Sequence, residues 1–380
     1  MNAVKKALYS LACCATLAQI SNAASMTPPP PEVAARSYFL KDFHSNQTLA
    51  AKSADDRVEP ASLTKLMTAY LTFKAIKQGT IKIDQVIPVS EKAWKAEGSR
   101  MFIDLKTPVT VNELIHGMII QSGNDACIAL AEAIAGSEEV FAQMMNREAQ
   151  RLGMKNSHFM NSTGLPHPQH FTSANDLGLL ATAIIKDFPQ YFPIYSKKEY
   201  TYNKITQPNR NGLLWKDPNV DGMKTGHTES AGYCLVATSR RDGRRVLSVV
   251  LGTASANVRE SESAKLLNYG LQFYDTPKVY SNGQTVQTLK VWKGQAPEVK
   301  IGFNRDLYLS VPKGQAGKIK ASLTTQQPLI APISAGQAVG KIKLELDGKV
   351  LGEYPVVSLA TVGQAGFFGR TWDSLRLMLK

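Results

Sequence analysis

Leu63, Leu66, Met67, Tyr70 and Leu71 recur at the spacing of one helix face, just after Pro60, a residue that a first helical turn tolerates. This predicts a buried helix. The same period runs through residues 112–121, 125–135, 138–152 and 175–185, so the middle of the chain reads as a cluster of helices. On either side the pattern is β. A strand-like run begins at Ala34, and the β-prone runs 232–239 and 245–252 are joined through Asp242-Gly243, a strong hairpin signal. A helical run over 260–273 closes this mixed α/β region, which spans 34–275. Beyond Thr276-Pro277 the pattern shortens to strand alternation over 286–293, 306–311, 318–324 and 339–358, the last interrupted by Asp347-Gly348. Residues 276–362 therefore read as a small all-β domain. No chemistry-bearing cluster stands out in it, and a spacer or docking role is expected.

The first residues carry Lys5 and Lys6, then an uncharged apolar stretch at 7–20, then Ser21-Asn22-Ala23, which is the order of a secretory leader cut after Ala23. The stretch is too short to span a bilayer comfortably. A lipoprotein leader is disfavoured: only Cys14 has a leucine three places before it, Leu11, and Cys13 then occupies a place where small residues are usual. Residues 24–33, with Pro28 to Pro31, form a stiff linker. Removal of the leader leaves Cys127 and Cys234, in a helical and a strand-like run, where free buried thiols are expected.

The chain has 380 residues and is 43% hydrophobic, enough for a large core and a second domain. Its net charge of +13 falls by two with the leader's lysines and stays basic, which suits an anionic membrane surface or an acidic polymer. No block of consecutive basic residues argues for nucleic acid. Residues 363–380 read as an amphipathic helix. Plotted at about 100° per residue, Phe367, Phe368, Trp372, Leu375, Met378 and Leu379 share one arc, with Arg370, Asp373, Arg376 and Lys380 opposite and Leu377 alone on the wrong side. The segment is too short and too charged to span a membrane, and suits a helix lying in its interface. A frayed tail, or a helix packed on the β domain, is the plainer alternative.

Three short elements carry chemistry. Ser62-Leu63-Thr64-Lys65 puts a hydroxyl and an amine on one helix face, where burial and a second cation would favour the neutral amine that can take the serine proton. Ser310-Val-Pro-Lys313 matches the same spacing, but Pro312 opposes a helix there. Ser122-Gly123-Asn124 stands just before a helical run. Ser173-Ala-Asn175 and Ser255-Ala-Asn257 share that spacing and read as helix caps. Lys224-Thr225-Gly226 occurs once, opening the β part of the first domain, where a strand can take an extended peptide along its edge. His167-Pro-Gln-His170 has a metal-like spacing, but Pro166 and Pro168 make it a surface loop with no third ligand in view.

In this order, the set S-x-x-K, S-x-N, K-T-G resembles the signature of penicillin-binding proteins and serine β-lactamases. The strings 119–126, 209–215 and 221–228 resemble the low-molecular-mass D-alanyl-D-alanine carboxypeptidases, and the likeness runs from about Ala34 to the C-terminus. The resemblance implies an antiparallel sheet with a helical cluster in the catalytic domain (34–275), followed by the β domain and a membrane-anchoring helix. It implies that Ser62 attacks the carbonyl between two terminal D-alanines of a peptidoglycan pentapeptide, with Lys65 taking its proton. Ser122, near both lysines, relays a proton to the leaving D-alanine, and Asn124 holds the peptide's amide. Lys224, Thr225 and Gly226 line the bound peptide, and the amides of Ser62 and His227 form the oxyanion hole. Arg259 binds the terminal carboxylate, and Arg210 is a further basic position. β-Lactam antibiotics are the expected covalent inhibitors, the periplasmic face of the inner membrane the expected location, and no cofactor is called for. A β-lactamase is the nearest rival, but Glu199-Tyr-Thr-Tyr-Asn203 copies only the ends of the deacylating E-x-x-L-N segment. A non-catalytic wall-binding scaffold is the second rival, and the intact set of Ser62, Lys65, Ser122 and Lys224 speaks against it.

Overall fold

The computed structural model describes residues 27–379; the expected leader lies outside them. The first region is built on a five-stranded antiparallel sheet made of β1 (Ser37–Asp42), β2 (Thr48–Lys52), β3 (Val220–Thr228), β4 (Gly232–Arg241) and β5 (Arg244–Thr253). Their spatial order is β2-β1-β5-β4-β3, so β3 lies at an edge. The turn joining β4 to β5 uses Asp242 and Gly243, both at positive φ, the backbone a two-residue hairpin needs.

Successive residues of these strands serve two cores, as strand geometry requires. Leu40, Leu235 and Val250 pack with Leu266 and Leu267 of helix α6 (Ala256–Phe273). Phe39, Val236, Leu247 and Val249 face the helical cluster on the other side. That cluster holds α1 (Lys65–Lys77), α2 (Val111–Ile120), α3 (Asn124–Ala135), α4 (Glu138–Leu152) and α5 (Ala174–Asp187). Ser173 and Ser255 cap α5 and α6, each accepting from a backbone amide three residues on. Cys127 and Cys234 are buried free thiols.

The expectation that Ser62 lies within the helix needs a correction. Residues Ala61–Thr64 form one 3-10 turn, and α1 begins only at Lys65. Ala61 is at φ 47°, a backbone that an α-helix cannot continue from. The facing of Ser62 and Lys65 survives, because residues three apart eclipse one another in a 3-10 turn.

The β region has its own core, including Leu289, Val299, Ile301, Ile342, Leu344 and Val356. Its six-stranded sheet has the order Lys320–Thr325, Ala338–Leu346, Lys349–Ser358, Glu298–Gly302, Thr285–Trp292 and Leu329–Ile330. Asp347 and Gly348, again both at positive φ, turn one hairpin. Ser310, the serine of the second S-x-x-K match, is buried at the junction of the two regions, where its hydroxyl meets Ser45 Oγ at 2.7 Å.

The last helix, α7 (Phe367–Met378), is held by its polar side: Asp373 Oδ2 accepts from the Lys293 amide at 2.6 Å, and Arg376 lies over the Trp292 ring. Its apolar arc points away from the domain. Phe368, Met378 and Leu379 are each more than 80% exposed, and Leu377, the residue out of place on that arc, is half-buried. Among the described residues no helix is long and apolar enough to cross a membrane.

Candidate active site

Three elements meet at the edge of the sheet. The nucleophile turn places Ser62 half-buried at the mouth of a cleft of about 440 Å³, with Lys65 wholly buried beneath it. Lys65 Nζ donates to Ser62 Oγ at 2.9 Å, to Asn124 Oδ1 at 2.6 Å and to the Thr163 carbonyl at 2.7 Å. Burial lowers its pKa; the Arg210 charge pushes the same way, against the opposing pull of Cys127 and Asp125. A lysine so placed gives up its proton more readily than one in water.

The second element is the loop before α3. Ser122 sits at φ 60°, a left-handed backbone uncommon for serine, and its hydroxyl accepts from Lys224 Nζ at 2.9 Å. Ser122 thus meets one lysine at hydrogen-bond distance. Asn124, expected to hold a substrate amide, has both ends of its carboxamide engaged: Oδ1 accepts from Lys65, and Nδ2 donates to the Glu97 carbonyl at 2.6 Å. The observed contacts make it a brace for Lys65.

The third element is β3. Lys224 is buried, and burial followed by the nearby Lys65 charge holds its pKa well below the usual lysine range. A Cβ on Gly226 would stand 3.1 Å from the Pro60 carbonyl and 3.3 Å from the Leu63 amide. The glycine therefore lets the strand press against the nucleophile turn, in addition to lining the cleft. Thr225 and His227 line the cleft, and the exposed His227 ring lies 3.9 Å from that of Tyr233.

Arg210 and Arg259 close the far end. Arg259 is buried, donates Nη2 to the Arg210 carbonyl at 3.1 Å and lies over the Tyr233 ring, while its Nε has no hydrogen-bond partner among the described residues. Arg210 is exposed on the cleft wall. All ten predicted site residues are brought to this one place.

Sequence reasoning missed what supports them. The Thr163 carbonyl belongs to Asn161-Ser-Thr-Gly164, whose Gly164, at φ 90°, touches the nucleophile turn so closely that a Cβ would meet the Ala61 oxygen at 1.8 Å. Ser162 is fixed by Glu138, which accepts from its amide and its hydroxyl. His170, expected in a surface loop, is buried and meets Thr64 Oγ1 at 3.0 Å, because the bridges 158↔171 and 58↔172 draw the segment inward. Burial, with His158 and His167 nearby, lowers its pKa to about 4. A glycine after three small polar residues signals a turn, but nothing local says which turn it will abut.

A nucleophilic hydroxyl on a buried amine, a second hydroxyl–amine pair across the cleft and two guanidiniums beyond them are the equipment of a serine acyl-transfer enzyme. The sequence profile of the D-alanyl-D-alanine carboxypeptidase family matches residues 23–255, and that of the penicillin-binding protein 5 C-terminal domain matches 274–364. The chain belongs to the D-alanyl-D-alanine carboxypeptidase family. It is 43% identical over 359 residues to the D-alanyl-D-alanine carboxypeptidase DacC of Escherichia coli, covering 92% of this chain and 90% of that one. It superposes on penicillin-binding protein 5 from Haemophilus influenzae with a TM-score of 0.86 at 41% identity, covering 88% of this chain and 99% of that one. Penicillin-binding protein D2 of Listeria monocytogenes, solved in an ampicillin-bound form, aligns at 29% identity and TM-score 0.59, over 64% of this chain and all of its own.

Proposed function

We propose that the protein removes the terminal D-alanine from peptidoglycan pentapeptide stems through an acyl enzyme on Ser62, at the periplasmic face of the inner membrane. The observation that carries this reading is the 2.9 Å contact between Lys65 Nζ and Ser62 Oγ, with the amine buried under the cleft. Neutral Lys65 takes the Ser62 proton as Oγ attacks the carbonyl carbon between the two D-alanines. The amides of Ser62 and His227 receive the oxyanion that forms. Collapse breaks the C–N bond, and the leaving D-alanine takes a proton through Ser122 and Lys224. Water then adds to the ester, releases the shortened stem as a carboxylate and returns the proton to Ser62. Arg259 and Arg210 attract the substrate's terminal carboxylate, Thr225 borders the bound peptide, and Asn124 stands behind the cleft wall holding Lys65.

A β-lactam offers the same carbonyl chemistry with its leaving nitrogen tethered, so the acyl enzyme persists. The β-lactamase reading gains nothing from Glu199, which lies on a hairpin (Glu199–Tyr202 with Ile205–Pro208) rather than beside Ser62. The outward apolar arc of α7 supports a helix lying in the lipid interface, with the catalytic region carried on the β domain. Two measurements test the enzyme reading: free D-alanine released from a pentapeptide ending in D-Ala-D-Ala, and penicillin label confined to the peptide holding Ser62. Label on Ser310 or Cys127 instead would overturn it.

A further inference from the structure

The two residues after Ser122-Gly123 both reach one loop, residues 97–103, with their side chains. Asn124 donates Nδ2 to the Glu97 carbonyl and its amide to the Ser99 carbonyl at 2.7 Å. Asp125 does more. It is buried, and its carboxylate accepts from Met101 N at 2.9 Å, Phe102 N at 2.8 Å and Ile103 N at 3.2 Å, as well as from Ala126 N in its own helix at 2.9 Å. Among the described residues no lysine or arginine forms an ion pair with it; these four backbone donors hold the buried carboxylate directly, and its charge also bears on Lys65 from a distance. The loop they hold is otherwise irregular: Gly98 and Phe102 are both at positive φ, and Phe102 is half exposed. Ser99 from this loop forms the cleft wall together with Ser62, Ser122 and Arg210.

We infer that Asp125 is a positioning residue for the peptide substrate: its carboxylate fixes loop 97–103 as the wall along which the extended stem lies. The inference rests on the acyl-enzyme reading above. It touches neither Ser62 nor the reacting carbonyl, and it leaves the contacts of Lys65 with Ser62 and Thr163 in place. A compact acyl donor uses little of that wall, whereas a pentapeptide must run past Ser99. An Asn at this position keeps one of the two oxygens that the loop amides use; an Ala keeps neither.

Two constants report the same attack on Ser62, kcat/KM for the pentapeptide and the second-order acylation constant for a penicillin. Asp125→Asn is expected to lower the peptide constant by about tenfold and Asp125→Ala by about a hundredfold, as when a bound group is misplaced by roughly an ångström. Penicillin acylation should fall less than about threefold in either variant, well under the loss from a missing catalytic base. Equal losses on both acyl donors would make Asp125 merely structural and overturn the inference. Amide hydrogen exchange on the wild-type chain covers the case of variants that do not fold. The Met101, Phe102 and Ile103 amides should be protected although they lie in a loop, and rates typical of an open loop would also overturn it. Failure of the acyl-enzyme reading would look different, since label would be missing from Ser62 while those amides stayed protected.

Discussion

Lys65 Nζ donates to Ser62 Oγ at 2.9 Å from the first residue of α1, and a carboxamide oxygen and a backbone carbonyl hold the same amine on its other sides. In the neutral amine the direction of the first bond reverses, and the serine proton has somewhere to go. Lys65→Ala is expected to slow penicillin acylation by about a hundredfold to ten-thousandfold, the usual range for a lost general base. Circular dichroism should show an unchanged fold. Near-normal acylation in that variant would move the base to Lys224.

Arg210 bears on the same amine from the cleft wall, where its positive charge disfavours protonated Lys65. The sign follows directly. Acylation needs neutral Lys65, so its rate rises with pH through the amine's pKa, which burial has already brought below the ordinary lysine value. Removing the guanidinium relieves one of the influences that lower it. Arg210→Ala should therefore shift the acid limb of the penicillin acylation profile to higher pH, and an unmoved limb would show that Arg210 acts on substrate alone.

Gly164 makes a further prediction, about stability. At φ 90° it holds a backbone that L-residues rarely adopt, and a methyl there would run into the Ala61 carbonyl. Gly164→Ala is expected to cost at least about 2 kcal/mol, from the strained conformation and the displaced turn together. Because the displaced turn carries Ser62, penicillin labelling should fall along with the melting temperature. A variant that melts normally and labels normally would mean that the loop and the turn do not touch.

What could be seen in advance, and what could not, follows from the range of each signal. The Asp242-Gly243 and Asp347-Gly348 turns, the serine caps and the helix spacings are local, so residues within about four places of one another define them. The three motifs are short strings of nucleophile, base and hydroxyl, and their order along the chain was enough to suggest a common site. The braces behind them are long-range. The oxygen that accepts from Lys65 is a backbone carbonyl 98 positions away, an atom that every residue possesses, and only the folded chain singles out Thr163. His170 illustrates the same limit. Its flanking prolines correctly indicate a loop, yet bridges to other segments bury that loop against Thr64. Gly226 has the right identity for a further reason its motif does not state, the thickness of the nucleophile turn.

The terminal helix supplies the last prediction. Asp373 and Arg376 tie α7 to the loop around Trp292 and Lys293, which leaves Phe367, Phe368, Trp372, Leu375, Met378 and Leu379 exposed on one side. So many large apolar side chains along one short helix are unusual on a surface that meets only water. Arg370, exposed beside that arc, adds attraction for anionic headgroups, worth about 1 kcal/mol near such a surface. Deleting residues 366–380 should leave Gln364 and Ala365 in their contacts with Gly294 and Lys293, and so leave the β domain closed. The truncated protein is expected to lose its binding to vesicles of mixed neutral and anionic lipid while still releasing D-alanine in solution. A single change discriminates further. Full burial of a phenylalanine is worth about 1.5–3 kcal/mol, so Phe368→Asp should weaken vesicle binding by about tenfold or more. High salt should weaken the wild-type interaction without abolishing it, because the apolar contribution is not screened. Undiminished sedimentation of the truncated protein with vesicles would place the membrane contact elsewhere on the molecule.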